Sequence, residues 1–151
     1  MHERLFYSPA GLLTLRTEDE KLTAILFGDR RTGLPEDDPL LDQVEAELRE
    51  YFAGSRKKFA LPVHVMGTDF QRKVWAALGE IPYGETATYG EIAERIGRPG
   101  ACRAVGAANH ANPVPIVIPC HRVIGAGGRL TGYAGGLAVK SYLLELEKRN
   151  K

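Results

Sequence analysis

The sequence predicts an α+β fold in two parts. A small α/β subdomain with an antiparallel sheet covers residues 1–66, and a mostly helical domain with a winged-helix-like helix-turn-helix covers residues 67–151. Three observations predict it. Short apolar runs split by turn residues fill residues 1–27, as paired strands do. In the second half, Thr68-Asp69-Phe70-Gln71 and Thr88-Tyr89-Gly90-Glu91 each have the spacing of a capping box ahead of an apolar periodic run. Between the last two helices lies a proline-stiffened apolar stretch, residues 113–119.

Taken in order, Leu5-Phe6-Tyr7, the turn Ser8-Pro9-Ala10-Gly11, and residues 12–15 read as strand, turn, strand. Residues 22–27 form a third strand after the charged turn Glu18-Asp19-Glu20-Lys21. A Gly-, Pro- and Asp-rich loop follows, in which Asp37 or Asp38 caps a helix with Pro39 in its first turn. That helix covers residues 40–53. Leu41, Val44, Leu48, Tyr51 and Phe52 recur on one face, and Gly54 ends it. Phe59, Leu61, Val63 and Val65 alternate with other residues, as in a short strand or an extended linker.

The Thr68 box opens a helix whose Phe70, Val74, Trp75 and Leu78 face the core, and Ile81-Pro82-Tyr83-Gly84 breaks it. The Thr88 box opens a short helix closed by Gly97. After Arg98-Pro99-Gly100 a further helix covers residues 101–111. Two short helices about a glycine turn make a helix-turn-helix pattern. The second carries Arg103 among Ala101, Ala104, Gly106, Ala107 and Ala108. Such small side chains permit close approach to a nucleic-acid groove or, equally, to another helix. The last helix covers residues 137–149, with Leu143, Leu144 and Leu146 in the core and Lys148 and Arg149 at the negative end of its dipole.

Composition narrows the function. The chain has 151 residues, 44% apolar and 26% charged, with a net charge of +1, which is ordinary for a soluble globular protein. The distribution is less even. Arg95, Arg98, Arg103, Arg122 and Arg129 lie in a stretch without Asp or Glu, and a local basic face suits phosphate. Two cysteines are too few for a disulfide framework or a thiolate zinc site, and the four histidines are dispersed, so no metal is expected. No signal peptide or membrane-length apolar run is visible. The expectation is a cytoplasmic protein in a reducing setting, where a thiol stays usable.

The stretch Pro113-Val114-Pro115-Ile116-Val117-Ile118-Pro119 leads into Cys120-His121-Arg122-Val123. Its prolines fix φ, and the β-branched triplet reads as buried and extended. A thiol becomes nucleophilic as the thiolate, which cationic or imidazole neighbours favour. In an extended chain Cys120 and His121 point to opposite faces, so a bridging water is a reasonable link. The bland alternative is a buried small hydrophobe, and that is the reading given to Cys102. Glu147, among leucines, is either an ordinary exposed glutamate or turns inward to orient a histidine.

Pro119-Cys120-His121-Arg122-Val123, with Asn112-Pro113-Val114-Pro115 before it and Gly132-Tyr133-Ala134-Gly135-Gly136 after it, resembles the active-site signature of the O6-alkylguanine-DNA alkyltransferases, also called methylated-DNA–protein-cysteine methyltransferases. The match runs from about Gly67 to the C-terminus, with several motifs in the right order. The resemblance implies repair of alkylated bases in double-stranded DNA through the minor groove, by a monomer without cofactor or metal. It implies that Cys120 takes the alkyl group from O6-alkylguanine (and O4-alkylthymine) in a single-turnover reaction after base flipping. His121 would accept the thiol proton, Glu147 would orient His121, and Tyr89 would assist flipping and protonate the leaving guanine. Arg103, in Arg103-Ala104-Val105-Gly106, aligns with the family's arginine finger, and Asn109 would face the pocket from the recognition helix. Asn112 would be a buried hinge, and Pro119, Val123, Tyr133, Ala134 and Gly135 would line or support the pocket. The residues before 67 would be a scaffold without catalytic role.

Two other readings compete. A helix-turn-helix lesion sensor or regulator would explain Arg103 but gives Cys120 no task. A cysteine hydrolase would normally set its nucleophile at a helix start, whereas Cys120 follows a proline-rich segment read as a strand.

Overall fold

The structure is a computed structural model describing residues 1–151. Strands β1 (His2–Ser8), β2 (Gly11–Glu18) and β3 (Lys21–Phe27) form an antiparallel meander in the order β1-β2-β3. The Ser8 hydroxyl shapes the first turn: it donates to the Gly11 carbonyl (2.6 Å) and accepts from Ala10 N (3.1 Å). Asp19 and Glu20, at φ 52° and 61°, form the second turn in the left-handed conformation that matches strand twist. The strands extend beyond their apolar runs. His2 pairs with Thr17 because the backbone ladder continues while one side chain in two still faces the core.

Helix α1 (Pro39–Phe52) begins where Asp38 Oδ1 accepts from Leu40 N at 3.0 Å. Its buried face, with Leu41, Val44, Leu48, Tyr51 and Phe52, covers the sheet. The segment after it is a linker tied at one bridge: Leu22 N donates to the Pro62 carbonyl (2.8 Å) and His64 N to the Leu22 carbonyl (3.0 Å).

Both capping boxes form, at α2 (Asp69–Leu78) and α3 (Tyr89–Arg95), with the Thr hydroxyl and the Gln71 or Glu91 side chain exchanging bonds with first-turn N–H groups. Strand β4 (Ala87–Thr88) pairs in parallel with β5 (Val123–Ile124). Helix α4 (Cys102–His110) packs on α2 and α3, and α5 (Leu137–Asn150) closes the chain. Phe70 and Leu144, both expected in the core, are only half-buried. The buried apolar side chains form one cluster, from Phe6 on β1 to Leu146 on α5, so both halves share a core.

The proline stretch differs from its sequence reading. It is not an extended strand: Ile116 has φ 75°, and Ile118 N bonds back to the Val114 carbonyl (2.9 Å). Pro113, Pro115 and Pro119 lack the N–H groups a ladder needs, so the chain doubles back. A β-branched residue at positive φ costs about 1–3 kcal/mol, which the burial of Ile116 helps to offset. Cys120 consequently opens a 3₁₀ turn (Cys120–Arg122), and the strand-based objection to a cysteine hydrolase no longer holds.

Candidate active site

Helix α5 brings one carboxylate into the core. Glu147 lies one turn beyond Leu143 on the buried face and is 1% exposed. Its Oε2 lies 2.6 Å from His121 Nε2 and accepts from the Tyr51 hydroxyl (2.6 Å) and Arg122 Nη2 (3.1 Å). Its Oε1 accepts from Arg122 Nε (2.8 Å) and Gly84 N (3.2 Å). Burial alone would raise the carboxyl pKa. The His121 hydrogen bond, then the hydrogen bonds and charge of Arg122, outweigh it and hold Glu147 below the usual range.

The 3₁₀ turn sets His121 against this carboxylate and Cys120 beside it. Burial outweighs the Glu147 contact and holds His121 below its ordinary pKa, so the imidazole rests neutral. Nε2–H then serves Glu147. Nδ1 is buried without a protein partner and can accept a proton. Cys120 is 3% exposed, and burial pushes its thiol up to about 11, against the Asn112 amide, the Lys140 charge and its own backbone N–H. The cysteine therefore rests protonated, and His121 and Arg122 do not lower its thiol as the sequence suggests for cationic or imidazole neighbours. One is neutral and the other is spent on Glu147. Arg122 also leaves the expected basic face, donating Nη1 to the Ile81 carbonyl (2.7 Å).

Around this centre, Asn112 is buried, with Nδ2 donating to the Ile118 carbonyl (2.8 Å) and Oδ1 accepting from Val114 N (3.0 Å). Pro119 and Val123 are buried beside Cys120 in the chain, and Ala134 is exposed. Tyr133 is buried edge-on to Phe27, 5.6 Å between centroids, and its hydroxyl has no protein partner. Gly135 lies so close to Phe27 that a Cβ there would stand 2.7 Å from the ring.

On the helix-turn-helix, Arg103 and Ala104 are exposed and Gly106 is half-buried against the Tyr89 ring. The Tyr89 and Thr131 hydroxyls are 2.5 Å apart. Asn109 does not lie on the outer face. It is buried and donates Nδ2 to the Cys120 carbonyl (3.3 Å), so it bears on the nucleophile through the backbone.

Sequence reasoning missed Tyr51, Arg122 as a carboxylate clamp, Phe27, and Lys140. Lys140 is fully buried, with Nζ donating to the Thr131 carbonyl (3.3 Å). Its signal was available: it precedes Glu147 by two helical turns and so shares its inward face. No group of three or more His, Cys, Asp or Glu side chains is placed to hold a metal ion. No helix is long and apolar enough to cross a membrane.

Residues 1–65 match the family described as 6-O-methylguanine DNA methyltransferase, ribonuclease-like domain, and residues 69–149 match its DNA binding domain. The chain belongs to the 6-O-methylguanine DNA methyltransferase family. Among its relatives in that family, the methylated-DNA–protein-cysteine methyltransferase of Mycolicibacterium paratuberculosis is 53% identical over 95% of this chain and 90% of its own length. That of Methanosarcina acetivorans is 48% identical over 97% and 98%. Mycobacterium tuberculosis OGT, solved in complex with DNA, superposes with a TM-score of 0.93 at 49% identity, covering 99% of this chain and 94% of that one. Of the two free cysteines, Cys120 is buried and directly precedes the His121 that pairs with Glu147, whereas Cys102, read from sequence as buried, is exposed at the start of α4.

Proposed function

We propose that the protein repairs DNA by moving the alkyl group of O6-alkylguanine, and of O4-alkylthymine, irreversibly onto Cys120. The observation that carries this is the pair behind the thiol: Glu147 holds Nε2 of a neutral, buried His121, whose Nδ1 is free as a base, and His121 directly follows in the chain a cysteine that rests protonated. A thiol at about 11 is a poor nucleophile at neutral pH, so its proton must leave as attack begins.

A base inside a duplex is out of reach of a buried thiol and has to be flipped into the pocket. Helix α4 enters the minor groove, and Arg103 takes the place of the extruded base, its planar cation replacing lost stacking. Tyr89 crowds the phosphate, and Tyr133 and the backbone of residues 134–135 line the pocket. His121 then takes the Cys120 proton through a bridging water. The sulfur lone pair forms the S–C bond as the C–O bond to guanine O6 breaks, and the electron pair leaves with guanine. Guanine is protonated, with Tyr89 as donor; the Cys120 proton passes through His121 to solvent, and Tyr89 regains its proton from solvent. A thioether has no resolving group here, so each molecule acts once. The protein works as a monomer in the cytoplasm, where its thiols stay reduced.

The test is intact-protein mass and peptide mapping after incubation with a duplex carrying one O6-methylguanine. One methyl on Cys120, saturating at one per protein and absent in Cys120→Ser, is the expected result. Tight lesion binding without a mass change would replace this reading with the lesion sensor. Multiple turnovers would replace it with a hydrolase.

A further inference from the structure

Tyr51 belongs to the half of the chain read from sequence as a scaffold, yet its hydroxyl ends on the reaction centre's carboxylate. None of its surface is exposed. Its ring is held edge-on to Phe52 and Tyr83, 5.3 and 6.3 Å away, and tilted against Phe59 at 5.5 Å. The hydroxyl is thereby aimed at Glu147 Oε2, 2.6 Å away, the same oxygen that lies 2.6 Å from His121 Nε2. Burial, then the Glu147 charge and hydrogen bond, push the phenol well above its ordinary pKa, so it remains a donor at every working pH. Arg122 Nη2 donates to the same oxygen at a longer 3.1 Å, so Tyr51 and His121 are its two short contacts. Donors sharing one carboxylate oxygen restrict its position, and each reduces the oxygen's hold on the others' protons.

We propose that Tyr51 is a positioning residue for alkyl transfer, fixing Glu147 Oε2 against His121 Nε2 and moderating the pull of the carboxylate on the imidazole proton. The inference rests on the function proposed above. It makes the first half of the chain a participant in the proton relay. The other groups facing this carboxylate are His121 and Arg122 from the 3₁₀ turn and Tyr83 from the turn after α2. Lys140, from α5 itself, and Arg122 add their charge to His121.

The experiment compares wild type, Tyr51→Phe, Glu147→Gln and the double variant. It measures the single-turnover rate of methyl transfer from an O6-methylguanine duplex across pH, together with duplex affinity and melting temperature. Tyr51→Phe keeps the ring and removes only the hydroxyl. The expected result is a plateau rate lower by about tenfold, a fraction of the roughly 10²–10⁴-fold that a positioned acid–base group contributes. Duplex affinity is unchanged. The low-pH limb moves to higher pH, because Glu147, freed of one donor, holds the His121 proton more tightly. In the Glu147→Gln background the same change adds less than about twofold, because coupled groups are not additive. Site-specific 3,5-difluorotyrosine at position 51, a stronger donor of nearly the same shape, moves the limb the opposite way and serves if Tyr51→Phe fails to fold. A lowered melting temperature with wild-type rate and limb would overturn the proposal and leave Tyr51 a packing residue. So would equal losses in both backgrounds. A wild-type protein that takes up no methyl would instead remove the function on which the proposal stands.

Discussion

Glu147 carries one negative charge and receives donors from Tyr51, Gly84, His121 and Arg122. Such a residue couples folding to pH. Its folded pKa lies below its ordinary 4.5, so its contribution is present above that value and is lost as pH falls toward the folded pKa. His121 is also held below its ordinary 6.5 in the folded state. Below 6.5 the unfolded chain gains a proton on this group that the folded protein resists, so stability again falls with acid. Both signs agree. Urea denaturation at pH 8, 6 and 4 should show stability falling from 8 to 6 and again from 6 to 4. Glu147→Gln should flatten the lower step, and a pH-independent midpoint would contradict the assignment. At this scale the Cys120-His121 pair, an inward Glu147 and a buried Asn112 were legible, and Tyr51 was not. Tyr51 and Glu147 lie 96 positions apart, and no local pattern marks a hydroxyl on a helix face as anything but core.

At the scale of elements, legibility followed distance along the chain. Both capping boxes join residues three apart, and both form as the sequence suggests. The residues 116–118 triplet misled, because β-branched residues favour strands only where a partner ladder exists, and the surrounding prolines remove it. Gly54, after α1, was read as a stop and also has a second role. It sits at φ 81°, and a Cβ there would stand 2.5 Å from the Asn150 side chain on α5. Gly54→Ala therefore meets an unfavourable backbone region and a neighbour at once. The expected cost is about 1–2 kcal/mol, read as a lower urea midpoint with an unchanged slope. Since α1 holds Tyr51 and α5 holds Glu147, methyl transfer should slow as well.

For the molecule as a whole, four of the five arginines in the stretch without Asp or Glu, Arg95, Arg98, Arg103 and Arg129, face outward, with Arg122 withdrawn to the interior. Arg103 has no carboxylate partner within the chain. If it fills the stack rather than gripping phosphate, Arg103→Ala should slow methyl transfer by roughly tenfold or more. It should leave the salt dependence of binding to undamaged duplex within about one counterion of wild type. A larger change in slope would make it a phosphate contact. The strands of the first half and the helices of the second were readable because each has its own period of apolar residues. The shared core was not, because no pattern within one part shows what the other covers.

The close burial of Cys120 also shapes what happens to a molecule once used. A methyl on that sulfur needs room in a site bounded by Asn112 and Lys140, and it replaces a thiol that could hydrogen-bond with a thioether that serves them poorly. Extra volume in a packed interior typically costs about 1–3 kcal/mol. The methylated protein should melt below the unused one in a thermal scan, and equal melting temperatures would show that the interior absorbs the group. With the lower stability, spent copies would open more often than fresh ones. A cell's proteases could then distinguish the two without any receptor for the modification.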